Sequence, residues 1–197
     1  MRYFLTLLIG SLLYPAAVSA SLLTITYSGL GSGTIGNTSF SSTLFTITEW
    51  LDTSNRVPLG GNIGWTIDDT SATVNIQGVG TFSMTTPTRS FVYNPGSSAG
   101  YSRASVNGSD LIEISDPAFQ TWDMTTPLGP IFANGSVLQW SALPVNTSGG
   151  QLAFDDARET INFRAVVTPE PGSWLLAGVG ILASLAWMKR SKAAPIP

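Results

Sequence analysis

The sequence predicts an all-β domain, an antiparallel β-sandwich or jelly-roll-like ectodomain, flanked by an N-terminal signal helix and a C-terminal transmembrane helix. Three observations lead there. Between residues 21 and 168, apolar and polar residues alternate with a period of two, the pattern of half-buried strands. Gly-, Asn- and Pro-rich turn signals recur between these runs. Residues 3–18 and 173–188 instead carry no charge at all and are mostly apolar.

The first element is a secretory signal peptide over residues 1–20. Met1-Arg2 supplies its positive start, Tyr3 to Val18 its apolar stretch, and Val18-Ser19-Ala20 the small residues that signal peptidase reads. Cleavage is expected after Ala20, and the segment is set aside from fold reasoning.

The secreted domain, residues 21–167, follows strand by strand. Leu23, Ile25 and Tyr27 alternate with threonines, as do Phe45 and Ile47. Val74 and Ile76 form the next run; Phe82 and Met84 follow after Gly78 and Gly80, which reads as a hairpin. Shorter candidates are 90–93, 101–105, 111–114 and 136–140. Leu152–Phe154 and the stripe Ile161, Phe163, Ala165, Val167 complete the set. Turns are expected at Gly29–Gly36, Pro58–Gly64, Asn94–Gly100, Asn107-Gly108, Asn134-Gly135 and Ser148–Gly150. One short helix is expected at 116–123, with Asp116 as N-cap and Pro117 first inside it.

Composition removes most chemistries. The chain has no Cys and no His, so Ser-His-Asp and Cys-His catalysis, His/Cys zinc sites and disulfides are absent. No histidine-type titration step is expected between about pH 6 and 8. Residues 21–168 hold five Arg, no Lys and eleven Asp or Glu, a balance of −6. A Schiff-base lysine is therefore missing, and so is the basic face that nucleic acid requires. No cofactor is expected.

Carboxylates are what remain. Asp68-Asp69 and Asp155-Asp156 read first as turn caps ending strands. Such pairs also bind Ca²⁺ with backbone carbonyls, or hydrolyse glycosidic bonds at the right separation. Trp50, Trp65, Trp122 and Trp140 read as core residues, with stacking on sugars as the alternative. Gly29–Gly36 reads as a flexible strand connection, since no phosphate-loop Lys-Ser/Thr follows it. Isolated Thr-x-Thr steps (Thr24–Thr26, Thr46–Thr48) are the only trace of a hydroxyl array such as ice-binding surfaces use.

The sixteen uncharged residues 173–188 would span about 24 Å as a helix, against roughly 30 Å of hydrocarbon. Trp174 and Trp187 suit the two interfaces, and Lys189, Arg190 and Lys192 suit a cytoplasmic stop. Pro169 and Pro171 set the start of the helix because neither continues one backwards. Pro169-Glu170-Pro171, an apolar helix and a basic cluster, in that order over residues 168–192, resemble the PEP-CTERM sorting signal. Residues 193–197 extend beyond it. The resemblance implies processing by exosortase, a membrane-embedded transpeptidase that reads the Pro-Glu-Pro, and delivery to the cell surface or exopolysaccharide matrix.

The functional expectation is a non-enzymatic exported protein, held in the inner membrane as a precursor. Its expected partners are signal peptidase, an exosortase-type enzyme, the membrane and an exopolysaccharide. The alternatives are a carbohydrate-binding module, Ca²⁺-dependent or not, an ice-binding module, and an envelope glycosidase.

Overall fold

A computed structural model describes residues 21–104, 110–137, 140, 144–156 and 160–169. The chain falls into two compact units, of which Ser21–Thr168 is one. The other takes in residues 1–20 and 169–197 and, Pro169 apart, lies outside the described residues. The expected signal and transmembrane helices, Ala20, Glu170, Pro171, Lys189, Arg190, Lys192 and the Asn107-Gly108 turn all fall there or in other undescribed stretches. Among the described residues no helix is long and apolar enough to cross a membrane.

The described residues form twelve strands: β1 (Ser21–Ile35), β2 (Thr38–Asp52), β3 (Val57–Pro58), β4 (Gly64–Ile76), β5 (Gly80–Ser83), β6 (Thr88–Tyr93), β7 (Ser98–Arg103), β8 (Asp110–Ser115), β9 (Leu128–Val137), β10 (Val145–Thr147), β11 (Gly150–Asp156) and β12 (Thr160–Pro169). The all-β expectation holds, but the sheet is not a sandwich. β1, β2, β4, β6, β7, β8, β9 and β12 each pair with the next, and β12 returns to β1. The result is an eight-stranded antiparallel up-and-down barrel. Alternation alone cannot separate the two folds, because it reports which side of a strand is buried and not which strand is its neighbour. Closure removes the edges a sandwich would leave.

β1 and β2 are long enough to serve a second closure at one end. There β5 pairs with β4, Met84 bridges to Thr147 of β10, β10 pairs with β11, and β11 pairs with Ser32–Ile35 of β1. The Ser148 N–H also donates to the Ser83 carbonyl at 2.8 Å. The glycines of this region, read as a flexible connection, are strand residues. Gly29, Gly31 and Gly33 sit on the buried face, where the rings of Phe45 and Phe154 and the Ala153 backbone leave no room for a Cβ. Asn134-Gly135 is likewise inside β9, not a turn; a Cβ on Gly135 would lie 2.2 Å from Ile161 Cγ1.

The core is one cluster of strand residues with Phe119, Trp122, Met124 and Trp140. Trp140 is fully buried, and its Nε1 donates to the Leu111 carbonyl at 2.6 Å. Phe163 packs edge-on against Tyr27, Phe119 and Trp122. The helix expected at 116–123 is a shorter 3-10 turn, Pro117–Gln120. Asp116 caps it as expected, accepting from the Ala118 N–H at 2.8 Å.

Candidate functional site

The inward stripe of β2 reads Phe45, Ile47, Glu49, Leu51, all fully buried. Period two therefore carries a glutamate into the barrel. β4 brings it a partner. Ile67 and Asp69 share the inward row at the start of that strand; Ala72, Val74 and Ile76 hold it further on. The parity changes because Leu51 pairs with Asp69 while Trp50 pairs with Ser71, which leaves Thr70 as the extra residue of a β-bulge. Asp68-Asp69 thus lies in mid-strand, not at a strand end as its turn-cap reading requires.

β6 supplies two hydroxyls from its buried row. Ser90 Oγ donates to Glu49 Oε2, and Thr88 Oγ1 donates to Asp69 Oδ2 at 2.5 Å. The other oxygens, Glu49 Oε1 and Asp69 Oδ1, are buried without a conventional donor, as are the hydroxyls of Tyr27 and Tyr101. A proton between the two carboxyls resolves the first pair of orphans. Burial, and then the Asp69 carboxylate, hold Glu49 well above the ordinary glutamate range. Burial also raises Asp69, to about 7, while hydrogen bonds from Thr88 and Glu49 pull it back. Burial and the Glu49 charge raise both tyrosines well above 10, so they stay neutral.

Asp69 is the member nearer solvent. It lines a cleft of about 320 Å³ with Asn55, Val57, Thr66, Asp68 and Thr70. The arrangement is able to hold and exchange a proton near neutral pH, although the sequence has no histidine. The absence of histidine therefore did not remove titration from the interval between about pH 6 and 8; a desolvated aspartate supplies it. Glu49 was overlooked by sequence reasoning, and the signal was available: it occupies the next inward position after Phe45 and Ile47.

The remaining candidates are dispersed. Asp68 points outward, opposite Arg89 in the ladder. Asp155 is exposed, and Asp156 ends β11 across from Ser32. Among the described residues no three acidic or other ligating side chains are grouped to hold a metal. Trp122 and Trp140 are core residues. Trp50 is half-buried, and Trp65 lies under the Arg56 guanidinium, 3.8 Å from the ring centre, while Arg56 pairs with Asp123 at 2.7 Å. A second groove of about 270 Å³ runs over the outside of β6–β8, lined in part by Arg89, Phe91, Tyr93, Asp110 and Glu113.

No curated protein and no solved structure matches the chain. A family model does. Residues 167–191, which contain Pro169, Glu170 and Pro171, match the family model described as the PEP-CTERM protein-sorting motif, so the chain carries that motif.

Proposed function

We propose that the chain is an exported, non-enzymatic protein whose barrel is the cargo of its own sorting segment. A signal peptide sends it out, residues 173–188 hold the precursor in the inner membrane, and an exosortase-type enzyme acts at Pro169-Glu170-Pro171. The barrel then belongs to the cell surface or exopolysaccharide matrix. The match over residues 167–191 carries this reading. It is supported by the place of the motif, which begins in the last residues of β12, beyond Ala165, the last residue of that strand to pair with β9.

The test is fractionation of cells with an active exosortase, with the mass of each product measured. Wild type is expected at the surface without its tail. A chain lacking residues 174–188 is expected as a soluble, unsorted product. Glu170→Ala is expected as a membrane-held precursor of full mass, because insertion does not depend on that carboxylate. Retention of the tail on every wild-type molecule would leave a simple membrane anchor as the better account.

Carbohydrate binding is the second reading, and the outer groove favours it. Phe91 lies against Gly100, where a Cβ would come within 2.5 Å of the ring, and Tyr93 is 38% exposed beside it. Arg89, Asp110 and Glu113 flank these rings with groups that bond sugar hydroxyls. Phe91→Ala should weaken retention on the native matrix polysaccharide if this groove is the contact.

A further inference from the structure

The Glu49–Asp69 pair is not needed to build a barrel. Apolar side chains of similar volume would fill the same positions at no desolvation cost. It is also assembled from three separate strands: Glu49 from β2, Asp69 from β4, Ser90 and Thr88 from β6, with Tyr27 of β1 and Tyr101 of β7 closing around it. One oxygen of each carboxyl, Glu49 Oε1 and Asp69 Oδ1, is buried without a hydrogen-bond donor.

We propose that this pair is a proton-operated latch, which fastens β2, β4 and β6 together while it is protonated and loosens the barrel as both carboxyls ionise. The cleft beside Asp69 gives solvent protons access to it. Other titratable or charged groups neighbour it on three of the packed elements. They are Tyr27 on β1, Asp68, which adjoins Asp69 on β4 but points outward, and Tyr101 and Arg103 on β7, with Arg103 opposite Thr88 in the ladder. The two tyrosines stay neutral, and the charge of Asp68 raises Asp69 further. β6 adds only hydroxyls, and the Phe163 ring of β12 borders Tyr27.

The sign follows from the direction of the shifts. Both carboxyls bind protons more tightly in the folded chain than in the unfolded one. Their contribution to stability is full below the unfolded carboxylate range, about pH 4. It is lost as pH rises through the folded values, about 7 for Asp69 and well above the ordinary glutamate range for Glu49.

The experiment is urea unfolding of the full chain in mild detergent at a series of pH values from about 5 to 8, for wild type and for Glu49→Gln combined with Asp69→Asn. Each proton held only by the folded state lowers the folding constant about tenfold per pH unit. The wild type should therefore lose roughly ten- to a hundredfold per unit across the lower part of that range, and the double variant should be nearly flat. A double variant that declines as steeply as wild type overturns the proposal. Should the double variant not fold, infrared spectroscopy decides. At neutral pH the wild type should show the carbonyl band of a buried protonated carboxylic acid, and Glu49→Gln alone should lose it. A wild type without that band overturns the proposal equally.

Discussion

A methyl group placed on Gly33 would lie 2.2 Å from the carbonyl oxygen of Ala153 and 2.9 Å from the Phe154 Cα. Both are backbone atoms of β11, so no rotamer change relieves the contact. Gly33→Ala must instead push β11 away from β1 where the two strands pair. Overpacking of this kind costs about 1–3 kcal/mol, and chemical denaturation of the variant should show it as a lower midpoint with an unchanged slope. Trp140 fails in the opposite direction. It is fully buried, 5.0 Å from the Phe154 ring, and hydrogen-bonded to Leu111. Trp140→Ala leaves a cavity and an unpaired carbonyl, and should cost about 3–5 kcal/mol. Trp140→Phe keeps most of the volume and should cost clearly less; equal losses would show that packing is not what this side chain contributes. Arg56 is a contrast. Its bridge to Asp123 is part-exposed, and surface pairs contribute about 0–1 kcal/mol, so Arg56→Ala should shift the midpoint little.

Elements show what sequence patterns reveal and what they conceal. The inward stripes of β1, β2 and β12 were legible, because polar residues (threonines in β1 and β2, Asn162 and Arg164 in β12) between apolar ones leave one reading of each face. The Pro117–Gln120 turn was legible too, from Asp116 followed by proline. Its cap is testable: Asp116→Ala removes the acceptor of the Ala118 N–H and should cost about 0.5–2 kcal/mol. For a domain of this size that is roughly 2–4 °C in Tm for each kcal/mol lost. A cap that contributed nothing would leave the melting curve unmoved. The strand from Gly29 to Ile35 and the start of β9 were hidden for a common reason. Glycine marks both a turn and a place where another chain presses close, and only the partner, Phe154 or Ile161, decides which. The acid pair was half visible. Glu49 stands in a stripe that period two defines, and the change of apolar parity between Ile67 and Ala72 announces a bulge. That Glu49 and Asp69 meet depends on the pairing of β2 with β4, which no local pattern encodes.

At the scale of the whole molecule, closure joins the first strand to the last. β1 begins at Ser21, and β12 supplies its neighbour from residue 160 onward. No part of the ring is complete until nearly all of the domain is present, so the barrel should unfold as a single unit. Two truncations separate this from a structure that tolerates an open edge. A chain ending at Thr168 keeps every residue that pairs β12 with β9. It loses only what exosortase processing would remove or what lies beyond it. Its stability should match that of the full chain to within about 0.5 kcal/mol, the usual span for changes away from packed contacts. A chain ending at residue 159 lacks Ile161, Phe163 and Ala165, all buried, and exposes the free edges of β1 and β9. It should lose the cooperative transition and aggregate through those edges. Urea unfolding of both chains, with light scattering at the same concentrations, tells the outcomes apart. If the chain ending at 159 melted cooperatively as a monomer, β12 would be an accessory strand. If the chain ending at 168 were strongly destabilised, processing at Pro169-Glu170-Pro171 would damage its own cargo, and the sorting segment would have to remain attached for the barrel to survive.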